Sequence, residues 1–245
     1  MRSDCLGDPG LPGERSASTW NVALDAVRSA TGYWRAQGWL ADDPTVLLRR
    51  RRKAPDRSRA LARADVDRLL TRDDIGLRER VLWRILYETA ARSAEVLRLD
   101  VDDLDLPNRR AKVRRKGGAI DVIVWQTGTA RLLPRLVRGR KTGPLFLTNR
   151  RAHVELPPCD IDQASGRARL SYGQAEDLFK AASGGATLHQ LRHSALTHDA
   201  EDGASTPMLM AKSGHTSVAS LARYARPSAE ALARWQAQRD PARRR

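Results

Sequence analysis

The segment HQLRHSALTH sets His189, Arg192 and His193 on what helical spacing makes one face, since residues at i, i+3 and i+4 are neighbours there. The His189–His193 pair has a spacing that can hold zinc, but it lacks the glutamate of H-E-x-x-H and an evident third ligand. A plain structural role, capping a helix or filling a core, is open as well. Phosphate is the target that uses both kinds of group: Arg offers a bidentate fork for two oxygens, and His carries a proton near neutral pH. A second cluster follows in SGHTSVASLARYARP, with His215 beyond Gly214 and Tyr224 between Arg223 and Arg226. One unbroken helix would put His215 and Tyr224 about two and a half turns apart, on opposite faces. Gly214 and a cap at Thr216 or Ser217 predict a break instead, with a new helix after His215. A surface tyrosine among charges is the bland alternative. Lys116 precedes Gly117-Gly118 at a hairpin tip, and a solvated turn lysine is its alternative. Arg92 sits in the apolar run YETAARSAEVLRL and needs a partner there, for which Glu88 at i−4 and Glu95 at i+3 are available.

The elements that must position these groups are mostly helical. Trp20, Leu24, Val27, Ala30 and Trp34 recur at helical intervals after a cap at Ser18-Thr19, predicting an amphipathic helix over about Trp20 to Leu40. Nothing before it supplies a packing partner. Residues 1–18 read as a flexible leader rich in Asp-Pro-Gly and Leu-Pro-Gly turns. Five consecutive cations, Arg49, Arg50, Arg51, Arg52 and Lys53, then mark a basic linker that either is solvated or crosses a phosphate backbone. The organisation expected is therefore a leader (1–18), a helical remnant with its basic linker (19–58) and a main domain (59–245). Two or three helices are predicted between Ala64 and Leu99. Three short strands with turns at Pro107-Asn108 and Gly117-Gly118 are predicted between Asp105 and Trp125. Beyond residue 128 the chain reads as mostly helical, at Gly128–Val137, Ser171–Ala182, Leu188–His198, Pro207–Lys212, Ser217–Tyr224 and Ala229–Gln238. The fold class is α+β, with a small three-stranded antiparallel sheet.

Composition narrows the partner. The 245 residues carry a formal net charge of +15, with 41% hydrophobic residues and six Trp for a core. A polyanion is the natural counterpart, because neutralising phosphates releases counterions. Anionic membrane fits poorly, for no long apolar span or Lys-rich amphipathic helix with a clean apolar face occurs. The two cysteines, Cys5 and Cys159, form no C-x-x-C, so neither a structural zinc site nor a disulfide framework is indicated. The opening MRSDCLGDPGLPGERSAS has no apolar core of a secretory signal, and a cytoplasmic, nucleoid-associated location is expected.

TAARSAEVLRLDVDDLD, the lysine hairpin, HQLRH, SGHTS and RYARP occur in an order and at spacings that resemble the tyrosine recombinase, or phage integrase, family over roughly residues 60–228. The resemblance implies a DNA breaking-and-rejoining enzyme. Tyr224 would attack a scissile phosphate, leaving a 3′-phosphotyrosyl link and a free 5′-hydroxyl. Arg92 and Arg192 would hold the non-bridging oxygens, His215 would add a hydrogen bond, Lys116 would protonate the departing 5′-oxygen, and His189 would assist proton transfer. No cofactor, metal or small-molecule substrate is implied. The partners are double-stranded DNA, touched by Arg49–Arg52, Lys53, Arg114 and Arg115, and further copies of the chain, as a tetramer on DNA. The final amphipathic segment, with Leu232 and Trp235, would dock on a neighbouring protomer or pack within its own. Two departures stand out. Only a fragment resembling the last helix of the family's core-binding domain precedes the basic run. The strand after the hairpin reads AIDVIVWQTG instead of a basic-then-proline pattern. The front-end departure keeps a rival open, a truncated, non-catalytic DNA-binding remnant, and relaxation of DNA without a partner duplex would use the same chemistry.

Overall fold

The computed structural model describes residues 16–52, 60–115, 117–221 and 229–239, which fall into two compact units, Met1–Arg57 and Ser58–Arg245. Lys53, Lys116 and Tyr224 lie outside the described residues, as do Cys5 and most of the leader.

The first unit is helix α1 (Ala17–Ala36), capped by the Ser16 hydroxyl, which accepts from Thr19 N at 3.2 Å. Its buried face is Asn21, Leu24 and Thr31 rather than the expected apolar stripe; Val27 and Trp34 are exposed. The reason is what covers the helix. The returning segment through Arg49 and Arg51 presents backbone amides, and Asn21 matches them, donating to Arg51 O at 2.9 Å and accepting from Arg51 N at 2.8 Å. Trp20 Nε1 donates to Arg49 O at 3.0 Å, and the Arg51 guanidinium lies 4.7 Å from the Trp20 ring centroid. The basic run is thus fastened to α1 by its backbone, while the side chains of Arg49, Arg50, Arg51 and Arg52 are exposed.

The second unit is built around α3 (Leu77–Thr89), whose Val81, Leu82, Trp83, Ile85 and Leu86 are almost wholly buried. α2 (Arg63–Thr71), α4 (Ser93–Leu97), α5 (Thr127–Val137), α6 (Tyr172–Ser183) and α7 (Leu188–Glu201) pack on it. Trp83 meets Phe179 of α6 edge to face, with centroids 5.3 Å apart. Buried Glu88 does not reach Arg92. It caps α5 instead, accepting from Gln126 N at 2.8 Å and Thr129 N at 3.2 Å. The approach is close enough that a Cβ on Gly128 would come within 2.6 Å of Glu88 Oε1. The chain then closes through α8 (Thr206–Ser213), α9 (Val218–Leu221) and α10 (Ala229–Arg239). Leu196, Leu209 and Leu221 form a smaller core at the α7–α9 end.

The expected sheet is present as β1 (Leu104–Asp105), β2 (Arg110–Arg114) and β3 (Ile120–Val124), antiparallel in that order. Its register opposes Arg110 to Val124, Lys112 to Val122 and Arg114 to Ile120, all exposed, while Ala111, Val113 and Ile123 face the core. A second antiparallel sheet was not foreseen: β4 (Leu147–Arg151), β5 (Ile161–Asp162) and β6 (Arg167–Arg169), ordered β4-β6-β5. Strands reading LTNRR, ID and RAR have no apolar alternation to betray them. They are held by tertiary bonds such as those of Arg169, which reaches Asp160 and Asp100, each at 2.7 Å.

Between α3 and α7 the Tyr87 hydroxyl lies 2.7 Å from His198 Nδ1. Burial pushes the phenol up to about 12. Burial, and next the nearby Arg63 guanidinium, hold the imidazole below its ordinary range. The unfolded chain therefore takes up a proton, below about pH 6.5, before the folded protein does, so stability is full above that pH and falls below it. Thermal unfolding between about pH 7 and about pH 5 should show a falling midpoint, and a flatter profile in His198→Gln, which removes the titration.

Candidate active site

Arg192 occupies the second turn of α7, a helix begun by reciprocal capping: Gln190 N donates to Thr187 Oγ1 at 3.1 Å and Thr187 N to Gln190 Oε1 at 2.9 Å. Its side chain is buried, the residue 5% exposed. A guanidinium out of water needs its N–H groups satisfied. Two of them donate to backbone carbonyls: Ala90 O, and Ser213 O at 2.9 Å. Those carbonyls belong to the ends of α3 and α8. Ala90 is left-handed (φ 49) and lies two residues before Arg92; Ser213 lies two before His215. One buried side chain thus draws together the two turns that carry the other candidate groups.

Arg92 stands at the start of α4, 40% exposed in its side chain, and donates to Glu95 Oε1 at 2.8 Å. Of the two partners available in sequence, Glu95 is the one used. Glu95 is itself buried, and its other oxygen accepts from Arg92 N at 3.1 Å and from Arg115 Nη1 at 2.7 Å. Arg115 also donates from Nε to Asp121 Oδ2 at 2.9 Å. Its guanidinium lies against Gly214, where a Cβ would fall 2.5 Å from Arg115 Cζ. Next to Gly214, His215 Nδ1 is 2.8 Å from the Ser213 hydroxyl. The helix break expected at Gly214 is there: α8 ends at Ser213, Gly214 is left-handed (φ 65), and α9 starts at Val218.

Arg92, Arg192 and His215 are accordingly linked through Ala90, Ser213, Glu95, Arg115 and Gly214. His189 lies exposed on the first turn of α7, one turn before Arg192. Among the groups expected to touch DNA, Arg114 is exposed and shares the outward face of β2 with Arg110 and Lys112. Arg115 departs from expectation. It is buried, and its charge is already met by two carboxylates, those of Glu95 and Asp121. Arg192 donates instead to neutral carbonyls at Ala90 and Ser213, so Arg115 is not the cation placed for a phosphate. The strand's own alternation carried that signal, because exposed Arg110, Lys112 and Arg114 put position 115 on the inner side. Glu95 and Gly214 are the further positioning residues, and neither type announces such a role. A cleft of about 980 Å³ between β4 and α6 contains none of these residues. A site for duplex DNA is an open surface, so a cleft is no guide to it.

Gly214 gives a direct check on the packing. Gly184, left-handed at the end of α6 (φ 70), has open space where a Cβ would go. Gly184→Ala should lose about 1–2 kcal/mol for left-handed strain alone. Gly214→Ala should lose a further ~1–3 kcal/mol, because the group it strikes is anchored at Glu95 and Asp121 and cannot swing aside. Urea denaturation of the two variants measures the difference.

Residues 59–231 match the sequence model of the phage integrase family. The tyrosine recombinase XerC of Mycobacterium bovis (strain BCG / Pasteur 1173P2) is 33% identical over 215 residues, covering 81% of this chain and 69% of that protein. The tyrosine recombinase XerD of Staphylococcus epidermidis is 27% identical over 238 residues, covering 90% and 75%. Among solved structures, the Tn1549 transposon integrase in complex with circular intermediate DNA aligns with a TM-score of 0.64 at 17% identity, over 90% of this chain and 79% of that one. The lambda integrase bound to DNA aligns with a TM-score of 0.61 at 15% identity, over 85% and 74%. These structures share the mixed helical fold, and the family match takes in the whole segment from α2 to the start of α10: the chain belongs to the phage integrase family.

Proposed function

We propose that the chain is a site-specific recombinase that breaks and rejoins DNA strands through a 3′-phosphotyrosyl intermediate. The observation that carries the reading is the buried Arg192 guanidinium joining the turn before Arg92 to the turn before His215. In this reading Tyr224 is the nucleophile. Its oxygen bonds to phosphorus as the P–O5′ bond breaks, and the proton on the Lys116 ammonium passes to the 5′-oxygen. Arg92 and Arg192 take the charge that develops on the non-bridging oxygens, the kind of stabilisation worth about 3–4 kcal/mol per donor in other enzymes. The Ser213 hydroxyl engages Nδ1 of His215, and in this reading Nε2 is the nitrogen that meets the phosphate. His189, exposed one turn before Arg192, assists proton transfer at the tyrosine. The ester link conserves the energy of the broken bond, so rejoining needs neither nucleotide nor metal.

Exchange of both strands between two duplexes consumes four cuts with one nucleophile each, which points to a homotetramer on DNA. Exposed Leu232 and Trp235 on α10 support a contact between copies. The lambda integrase has been solved as a dimer bound to a core site. Arg49–Arg52, Lys53 and the outward face of β2, with Arg114, are the phosphate contacts. No helix among the described residues is long and apolar enough to cross a membrane, which agrees with action on the nucleoid in the cytoplasm.

Two measurements test this. A DNA substrate nicked beside the cleavage position cannot be rejoined, so a library of such substrates should trap a protein–DNA adduct on a denaturing gel. Tyr224→Phe should form none while still binding DNA; an adduct that survives the substitution would assign the nucleophile elsewhere. Replacing Arg49–Arg52 by Gln should flatten the dependence of log K on log salt by about 3 to 4, at roughly 0.9 per phosphate contact. The lower end applies if Arg50 stays with Asp25, its present partner.

A further inference from the structure

We propose that Arg115 is a positioning residue for the reaction: it fixes the base of the Lys116 hairpin relative to the Arg92 clamp, and so places the proton donor. Three observations carry this. Arg115 follows the end of β2 and directly precedes Lys116 in sequence, and its backbone closes the hairpin, Arg115 N donating to Ala119 O at 2.8 Å and Gly118 N to Arg115 O at 3.0 Å. Its buried side chain ends on the carboxylate that also holds Arg92, so a single group, Glu95, sets the distance between clamp and hairpin. Its guanidinium faces Gly214, which precedes His215.

Stability does not explain such a group. A buried ion pair roughly breaks even against well-packed apolar side chains, because desolvation offsets the attraction. The best-attested use of a buried pair is to hold one register against alternatives. A hairpin tip with left-handed Gly117 and Gly118 (φ 95 and 88) has many alternatives. A lysine at such a tip transfers a proton efficiently only when its base is held.

The proposal rests on Lys116 as proton donor to the 5′-oxygen, and the experiment separates the two ideas. Cleavage is followed in single turnovers on a nicked substrate bearing the natural 5′-oxygen, and on one with sulfur at that bridging position. A thiol has a pKa of about 8.5 and departs as thiolate without a donated proton. Lys116→Ala should be slowed by roughly 10²-fold or more on oxygen and be near wild type on sulfur. Arg115→Met should show the same pattern, a loss of about 10²-fold on oxygen that sulfur restores, with DNA affinity retained. Arg115→Lys should be intermediate, since an ammonium reaches Glu95 or Asp121 but does not fork between them. Where Arg115→Met fails to fold, Asp121→Asn replaces it, because Asp121 is 44% exposed in its side chain, Asn keeps an oxygen for Arg115 Nε, and Arg115 retains Glu95 as counter-ion. A selective oxygen defect is again expected, of smaller size. An Arg115 or Asp121 defect equal on both substrates would overturn the proposal, leaving a merely structural pair. If Lys116→Ala itself is not restored by sulfur, or no adduct forms with wild type, the reading of Lys116 fails and the proposal falls with it.

Discussion

The geometry of the candidate site depends on one buried cation. Arg192 gives hydrogen bonds to two carbonyls at the ends of helices far apart in sequence, α3 and α8. A guanidinium in a dry interior is expensive unless its donors are met, and helix C-termini supply carbonyls with no partner inside their own helix. Both problems are solved by the same bonds. Left-handed Ala90 and Gly214 belong to the same arrangement, since each turns the chain out of a helix and into the segment bearing Arg92 or His215. From there the circuit continues through Glu95 and Arg115 back to Gly214. The candidate site thus draws on α4, α7, the α8–α9 turn and the base of a hairpin through one chain of contacts.

α3 is the mechanical frame for that circuit. It is buried on nearly every side, and its polar residues work at its ends and flanks: Glu88 caps α5, Thr89 Oγ1 accepts from Ala91 N at 3.2 Å, and Tyr87 meets His198. The two charged groups beside the clamp thus have separate duties. Glu88 holds a neighbouring helix, while Glu95 aligns two arginines.

Much of this was legible in the sequence, and the failures have physical causes. Helices from α2 to α8 follow from apolar periodicity and their caps, and β2 and β3 from alternation between glycine and proline turns. The order of Arg92, the lysine hairpin, Arg192, His215 and Tyr224 carries the family resemblance, and the family match over residues 59–231 agrees with it. The second sheet was invisible because it is short, charged and held by Arg169 rather than by an apolar face. The covered face of α1 departs from its apolar stripe because a stripe shows what a helix can bury, not what lies against it; here Asn21 meets backbone. Adjacent Arg114 and Arg115 read alike as letters, yet successive strand residues face opposite ways, and one meets solvent while the other meets Glu95.

The outward face of β2 and β3 has a consequence for handling the protein away from DNA. β3 lies at the edge of its sheet and exposes Ile120, Val122 and Val124, a β-branched row suited to pairing with the same row of another molecule. Each of the three stands directly opposite a cation of β2, so two such edges approaching one another bring like charges together. That protection is electrostatic and acts only over the screening length, which shrinks from about 10 Å at 0.1 M salt to about 3 Å at 1 M. Strong brine, the usual means of stripping nucleic acid from a basic protein, therefore removes the guard on this edge along with the DNA, and favours edge-to-edge association at high concentration.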